Sequence, residues 1–327
     1  MVLFCLLLAI ALERVLRLGE RWQFHWYMQA YMEKLSGVNA LQDLKKSFAG
    51  TLVVLALPAF AVFLWLKLVE GALFGLVSLL SWLFILLICF GCGFFRQQYR
   101  NYLKASCRGD DQACFEFAKV IEHTVNEQDH RSLPASLGQR LAWINYRYYG
   151  ALICWVVLLG PAGAVFYCSC RYYLSQNDKE EQADAELVDV DMQQGEPESN
   201  TQALEQGEPE EKETVFEKDT VVAPSEAQRS VAHLMHWMDW LPVRIVTLGM
   251  ALVGHFNRAF PIWLENLLDM KLSARELVYK IGDNTRDVDA SSPVCVAEAS
   301  HMVSLVKRNI IMMLAMISVL TLYGWLI

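Results

Sequence analysis

The chain has 327 residues, 54% of them hydrophobic, and its formal net charge of −8 is carried very unevenly. Between Asp178 and Glu226 lie 17 of the 36 acidic residues and only three lysines, so this stretch holds −14 and the remainder of the chain is +6. The acidic balance is therefore misleading for the rest of the chain, and 54% hydrophobic residues is high for a chain that carries a long acidic stretch; no nucleic-acid partner is expected.

The first predicted element is an apolar helix over Met1–Leu12. It lacks a basic residue ahead of it and a small-x-small cleavage site behind it, so it does not read as a signal peptide. It runs instead into Glu13 and Arg14. Glu13, Arg17 and Glu20 share one helical face, with Arg14 and Arg21 on the next. Two readings stay open: a half-inserted helix with a charged inner end, or an interfacial anchor with i,i+4 ion pairs.

Four stretches then follow that are free of Asp, Glu, Lys and Arg: Ala49–Leu66, Gly71–Phe95, Tyr148–Cys170 and Asn309–Ile327. A hydrocarbon core of about 30 Å takes roughly 20 apolar residues of helix, and only helices and closed barrels satisfy their own backbone inside it. These unbroken runs are expected to be helical spans. Between the third and fourth, Leu241–Phe256 carries one charge, Arg244, near its start, and is predicted as a short embedded or re-entrant helix, the alternative being a helix lying on the surface.

Lys and Arg near spans stay on the cytoplasmic side. Lys34, Lys45 and Lys46 precede the first long span, Arg96, Arg100, Lys104 and Arg108 follow the second, and Arg131, Arg140 and Arg147 precede the third. The segment 96–147 is therefore expected in the cytoplasm and the acidic insert on the opposite face. Lys307 and Arg308 again prefer the cytoplasm, which on this reading requires the extra crossing at Leu241–Phe256.

The resulting organisation is an N-terminal apolar and amphipathic region (1–48), a two-span hairpin (49–95), a polar helical loop (96–147), a third long span (148–170), an acidic insert (171–229), an amphipathic or short-membrane-helix region (230–308) and a C-terminal span (309–327). The insert repeats Gln-Gly-Glu-Pro-Glu at Gln194–Glu198 and Gln206–Glu210, and its composition cannot bury enough to order itself. The fold class is an all-α integral membrane protein: a helical bundle with four long spans plus one or two short or re-entrant helices.

The nine cysteines are scattered or lie in apolar runs. Cys89-x-x-Cys92 has metal-ligand spacing but no second pair or histidine beside it to complete four ligands. No metal is expected. There is no Gly-rich phosphate loop with its Lys and Ser or Thr, so no cofactor is assigned and ATP has no motif to support it.

Ionisable groups at membrane depth are costly and usually face a bundle interior. Three clusters qualify: Glu13, Arg14 and Glu20 with Trp22; Asn145 and Arg147 among Trp143, Tyr148 and Tyr149; and Asp239 and Arg244 around Trp240 and Pro242. Arginines and carboxylates at span ends either pair with each other structurally or hold an anionic ligand by bidentate contacts. The candidate ligand-binding set is therefore Glu13, Arg14, Glu20, Asn145, Arg147, Asp239 and Arg244. No catalytic residue is assigned.

The blocks Leu12–Gln23, Trp143–Tyr149, Met238–Arg244, Gly254-His255-Phe256 and Thr321–Trp325 resemble the AmpE family, in collinear order along the chain. The acidic insert is longer than is usual there. The resemblance implies a multi-pass protein of the bacterial inner membrane, with a regulatory or sensing role in the induction of a chromosomal β-lactamase when cell-wall recycling is disturbed. A muropeptide or a nucleotide is then the candidate anion, and another inner-membrane protein a candidate partner.

A more distant resemblance runs to the CobD/CbiB membrane proteins of cobalamin assembly. Gly160-Pro161-Ala162-Gly163-Ala164 with Tyr167, and Asp239 with Pro242 and Arg244, are similar to blocks of that family. Two departures stand against its chemistry: Cys168-Ser169-Cys170-Arg171 replaces an Asn-Thr-Leu-Asp motif, and Trp143–Arg147 replaces a stretch that carries carboxylates. The alternatives to a regulator are thus a CobD-like ATP-dependent ligase or transferase and a non-catalytic partner of another membrane protein.

Overall fold

A computed structural model describes residues 2–16, 22–36, 47–71, 75–126, 135–193, 226–285 and 294–324. Among them every regular element is a helix. They are α1 (Val2–Val15), α2 (Phe24–Ser36), α3 (Phe48–Leu68), α4 (Leu76–Cys89), α5 (Gly93–Cys107), α6 (Asp111–Asn126) and α7 (Leu137–Asn145). A π-turn, Tyr146–Gly150, joins α7 to α8 (Ala151–Gln193); then come α9 (Glu226–Val253), α10 (Phe256–Glu265), α11 (Ala274–Asn284) and α12 (Val294–Leu322).

Three helical runs are long and apolar enough to cross a membrane, Phe48–Leu68, Leu137–Gln176 and Val296–Leu322, and α4 with α5 makes a fourth only as a pair bent by 51°. The expectation of four long spans is corrected accordingly. Gly71–Phe95 does not form one helix: α4 stops at Cys89 and the chain breaks over Phe90–Cys92 before α5 begins. The 14 residues of α4 rise only about 21 Å, short of a hydrocarbon core of about 30 Å.

The third expected span is also different. At Gly160 the backbone leaves the helical region, with φ 68° and ψ −162°, and Pro161 follows in the first turn of the second limb. The two limbs fold back on each other. Arg171 Nη1 donates to the Arg147 carbonyl at 3.1 Å although the residues are 24 apart, a separation that a straight helix would stretch to about 36 Å. Closer to the turn, a Cβ on Gly163 would meet the Leu159 Cβ at 2.5 Å and the Trp155 carbonyl oxygen at 3.1 Å. Arg147 with Arg171 and Trp155 with Gly163 are pairs of an antiparallel helical hairpin whose tip is Gly160.

Only glycine adopts the Gly160 conformation without strain, a cost of about 1–3 kcal/mol for other residues. Gly160→Ala should therefore lower the detergent-solubilised protein's thermal stability by about that amount, although the added methyl would find only the Trp82 ring at 3.5 Å. A melting curve unchanged from wild type would show that the hairpin does not need this turn.

The predicted short helix at Leu241–Phe256 is the second half of the longer α9, which contains Pro242 and ends at Val253. α9 packs on the hairpin and on α12. Asn309 Nδ2 donates to the Val246 carbonyl at 3.0 Å, and Gly249 lets α12 come close enough that a Cβ there would lie 2.2 Å from Asn309 Oδ1. The expected bounds of the acidic insert, 171–229, are corrected: 171–193 continue α8, with Arg171, Tyr172 and Leu174 buried in the hairpin, and 226–229 open α9. Residues 194–225 and Glu20 lie outside the described residues.

Candidate functional site

The apolar run of α1 ends at Glu13 and that of α4 at the break before α5. At this level the first charged cluster forms. Arg96, in the first turn of α5, reaches the Glu13 carboxylate with Nη2 at 2.7 and 2.5 Å and the Glu13 carbonyl with Nη1 at 3.3 Å. Tyr149 donates its hydroxyl to Glu13 Oε2 at 2.8 Å, and Arg96 Nη2 also meets that hydroxyl. The Glu13 side chain is 4% exposed and that of Arg96 26%.

A pair this unevenly buried stabilises less than its contacts suggest, but breaking it strands the partner left behind. Glu13→Gln should leave Arg96 without its anion and cost about 1–3 kcal/mol, read as a lower melting temperature. An unchanged melting temperature would mean that Arg96 swings out to water without loss.

The second cluster lies behind the hairpin. Asp239, buried on α9, accepts from Tyr146 at 2.7 Å and from Tyr167 at 3.0 Å, both on Oδ1. The π-turn makes this possible. Its looser i→i+5 winding spreads side chains that an α-turn would stack, so Tyr146 turns toward Asp239 while Tyr149, three residues on, turns toward Glu13. Beside it the buried Arg147 lies 5.9 Å from the centre of the Trp143 ring, and Arg171 stacks 4.2 Å above Tyr148. Asn145, half-buried, closes α7 immediately before the turn.

The third cluster separates Arg244 from the other two. Its guanidinium donates to the carbonyls of Leu267 at 2.7 Å, Trp240 at 3.0 Å and Asp269 at 2.6 Å, and it stacks 4.5 Å from the Trp240 ring. Trp263 Nε1 donates back to the Arg244 carbonyl at 3.0 Å. Arg244 thus fastens the loop after α10 to α9, one turn beyond Asp239.

Next to the Glu13–Arg96 pair is a cavity of about 760 Å³, formed by the end of α1, by α2, the α4–α5 break and α5. Among its described lining residues Arg14, Arg96, Arg100 and Lys104 are cations and Glu13 is the one carboxylate. Trp22, Trp26, Phe90 and Phe94 supply aromatic surface, and Gln23, Gln29, Gln97 and Asn101 supply amides. A smaller cavity of about 200 Å³ shares Gln23, His25, Gly91 and Phe94 with it and reaches Arg171 and Tyr148.

Of the residues singled out in the sequence, Glu13 and Arg14 line the larger cavity, whereas Asn145, Arg147, Asp239 and Arg244 line neither of the two. Arg100 and Lys104 were visible in the sequence only as positive flanks of a span. The signal for a site was their spacing: Arg96, Arg100 and Lys104 recur every fourth residue, and Gln97 and Asn101 repeat the same interval one position on, which sets all five along one side of α5.

The family model described as "Regulatory signalling modulator protein AmpE" matches residues 1–177 and 217–327. The stretch it leaves out lies within the acidic insert. Over 338 aligned residues the chain is 25% identical to "Protein AmpE" of Shigella flexneri, with all of both chains covered. No solved structure matches it.

Proposed function

Since the chain belongs to the AmpE family of regulatory signalling modulator proteins, we propose that it is a sensor of the bacterial inner membrane, acting in β-lactamase induction and the cell-wall-stress response by holding an anionic ligand in the basic cavity beside α5. Family membership and the apolar helices support a regulatory membrane protein. The observation that carries the ligand is the cavity's charge: among its described lining residues four cations face one carboxylate, and Arg96 already occupies that carboxylate. The remaining three are matched by an anion from outside the chain.

In this reading Arg14, Arg100 and Lys104 contact the ligand and Glu13 holds Arg96 and the cavity wall in place. Asn145, Arg147, Asp239 and Arg244 support the hairpin and α9 against which that wall rests. The blocks that resemble CobD/CbiB serve the same support: Gly160-Pro161 makes the turn, Tyr167 bonds to Asp239 and Arg244 fastens a loop. A shared scaffold with a different activity accounts for them.

The test is induction of a chromosomal β-lactamase in cells that carry Arg100→Ala or Lys104→Ala in place of the wild-type gene, with membrane levels of the protein measured alongside. Altered induction at normal protein levels is expected. Normal induction from a doubly substituted chain would remove the cavity from the signalling role.

A further inference from the structure

The geometry points to a compact phosphate group, of the diphosphate or terminal-phosphate class, as the anion that the α5 cavity takes. This rests on the reading that an anion occupies that cavity, and it goes further by naming its chemistry. A single carboxylate is satisfied by one bidentate arginine. Here Arg14, Arg100 and Lys104 line one cavity, and its described lining residues carry a formal excess of +3 once Glu13 and Arg96 have cancelled. An anion with several charges in a small volume engages all three cations at once, which a single carboxylate does not.

The kinds of cation agree. Arginines present planar forks to phosphate oxygens, and lysine acts as a mobile point charge on the same group. Arg96, Arg100 and Lys104 climb α5 at four-residue steps, about 6 Å each, so neighbouring phosphates of one diphosphate can each face a different rung. The volume of about 760 Å³ is that of a site for a whole small ligand. Trp22 and Trp26 give its rim flat apolar surface, and Gln29, Gln97 and Asn101 give it donors and acceptors for a polar body attached to the phosphates.

The depth of the cavity defines two sources. Its wall stands where the apolar runs of α1 and α4 end, and Trp22 and Trp26 are both exposed there, the position of lipid headgroups and of interfacial tryptophans. A membrane lipid with a terminal phosphate enters from the side, and a soluble diphosphate enters from the aqueous face. Both bring the same group to the same cations.

The full-length protein is placed in phosphatidylcholine nanodiscs and its thermal stability followed with inorganic pyrophosphate, ADP and citrate, each at matched ionic strength. Pyrophosphate or ADP should stabilise the wild type, citrate much less, and Arg100→Ala and Lys104→Ala should each weaken phosphate binding by about tenfold, the scale of one lost charged hydrogen bond. These side chains are exposed, so the variants are expected to melt like the wild type in the absence of ligand. Nanodiscs doped with phosphatidic acid then separate the sources: displacement of pyrophosphate by the lipid assigns a headgroup, and binding unaffected by it assigns a soluble ligand.

Citrate binding as well as pyrophosphate overturns the phosphate assignment while leaving an anion site in place. Phosphate binding that both substitutions leave unchanged overturns it too. If none of the anions binds, the anionic reading of the cavity falls with it.

Discussion

A cysteine introduced at Gln176 should be alkylated from the same face of the membrane as the native Cys107. The hairpin makes this expectation. Arg147 and Arg171 lie side by side at its mouth, and the 12 residues from Tyr148 to Leu159 rise only about 18 Å toward the tip, little more than half of a hydrocarbon core. With its mouth at the membrane surface the hairpin would end at Gly160 inside the membrane and return both limbs to one face, which is what the labelling tests. Backbone that leaves the helix at such depth is tolerated when protein covers it, and here the Trp82 ring of α4 lies against Gly160.

The charge pattern agrees better with this arrangement than with a third crossing. With a re-entrant hairpin, α3 and the broken α4–α5 pair cross, the hairpin returns, and α12 crosses last. Lys34, the α5 cations, Arg147, Arg171, Lys307 and Arg308 then all lie on the cytoplasmic side. On this arrangement no extra crossing at Leu241–Phe256 is needed, and Gln176, where the apolar run of the second limb ends, would share a face with 96–147. The labelling experiment uses an impermeant maleimide. Cys107 is exposed at the end of α5, whereas burial, with Asp111 and Asp110 beside it, pushes the Cys114 thiol up and slows its reaction. Cys107 in the wild type, and Gln176→Cys in a Cys107→Ser chain, should both label only after the inner membrane is made permeable. Labelling of the position-176 thiol in intact spheroplasts would restore a full crossing.

The parts of this fold that were legible in the sequence are those where hydropathy alone decides. α3 is free of charge from Phe48 to Leu66, and α12 is free of charge from Asn309 to its end at Leu322, directly behind Lys307 and Arg308. The hairpin was hidden because hydropathy counts residues and not direction: Tyr148–Cys170 is equally apolar whether it crosses or turns back. Its local signal was Gly160-Pro161, a pair that marks a turn and that drew notice in the sequence only through a resemblance. The break at Phe90–Cys92 was hidden for the same reason. At the cavity, Glu13 and Arg14 stood out as charges at the end of an apolar helix. Arg100 and Lys104 did not, because basic residues after a span already have an explanation in topology. Arg244 looked like a ligand-binding arginine because its partners are backbone carbonyls, one on the preceding turn and three 22 to 25 residues away, which no pattern of side chains displays.

Asp239→Ala should be the most damaging single substitution in the hairpin's support, costing about 2–4 kcal/mol, the scale of lost hydrogen bonds to a buried carboxylate together with the void left behind. The carboxylate is buried and one of its oxygens accepts from two phenols. Alanine would orphan the Tyr167 hydroxyl at about 1–3 kcal/mol, leave Tyr146 only the longer contact at 3.3 Å to the residue-239 carbonyl, and open a void between α9 and the two limbs. Asn keeps an oxygen in place for the same donors, so Asp239→Asn should lose clearly less, and Tyr146→Phe or Tyr167→Phe about 1 kcal/mol each. Thermal unfolding of the four variants in one detergent checks the order. The ranking also decides how any loss of β-lactamase induction is to be read. If Asp239→Ala unfolds the protein while Asp239→Asn both folds and signals, the residue supports the hairpin. If Asp239→Asn folds at wild-type stability and is silent, the negative charge itself takes part in signalling, and the site extends from the α5 cavity through Tyr149 and the π-turn to α9.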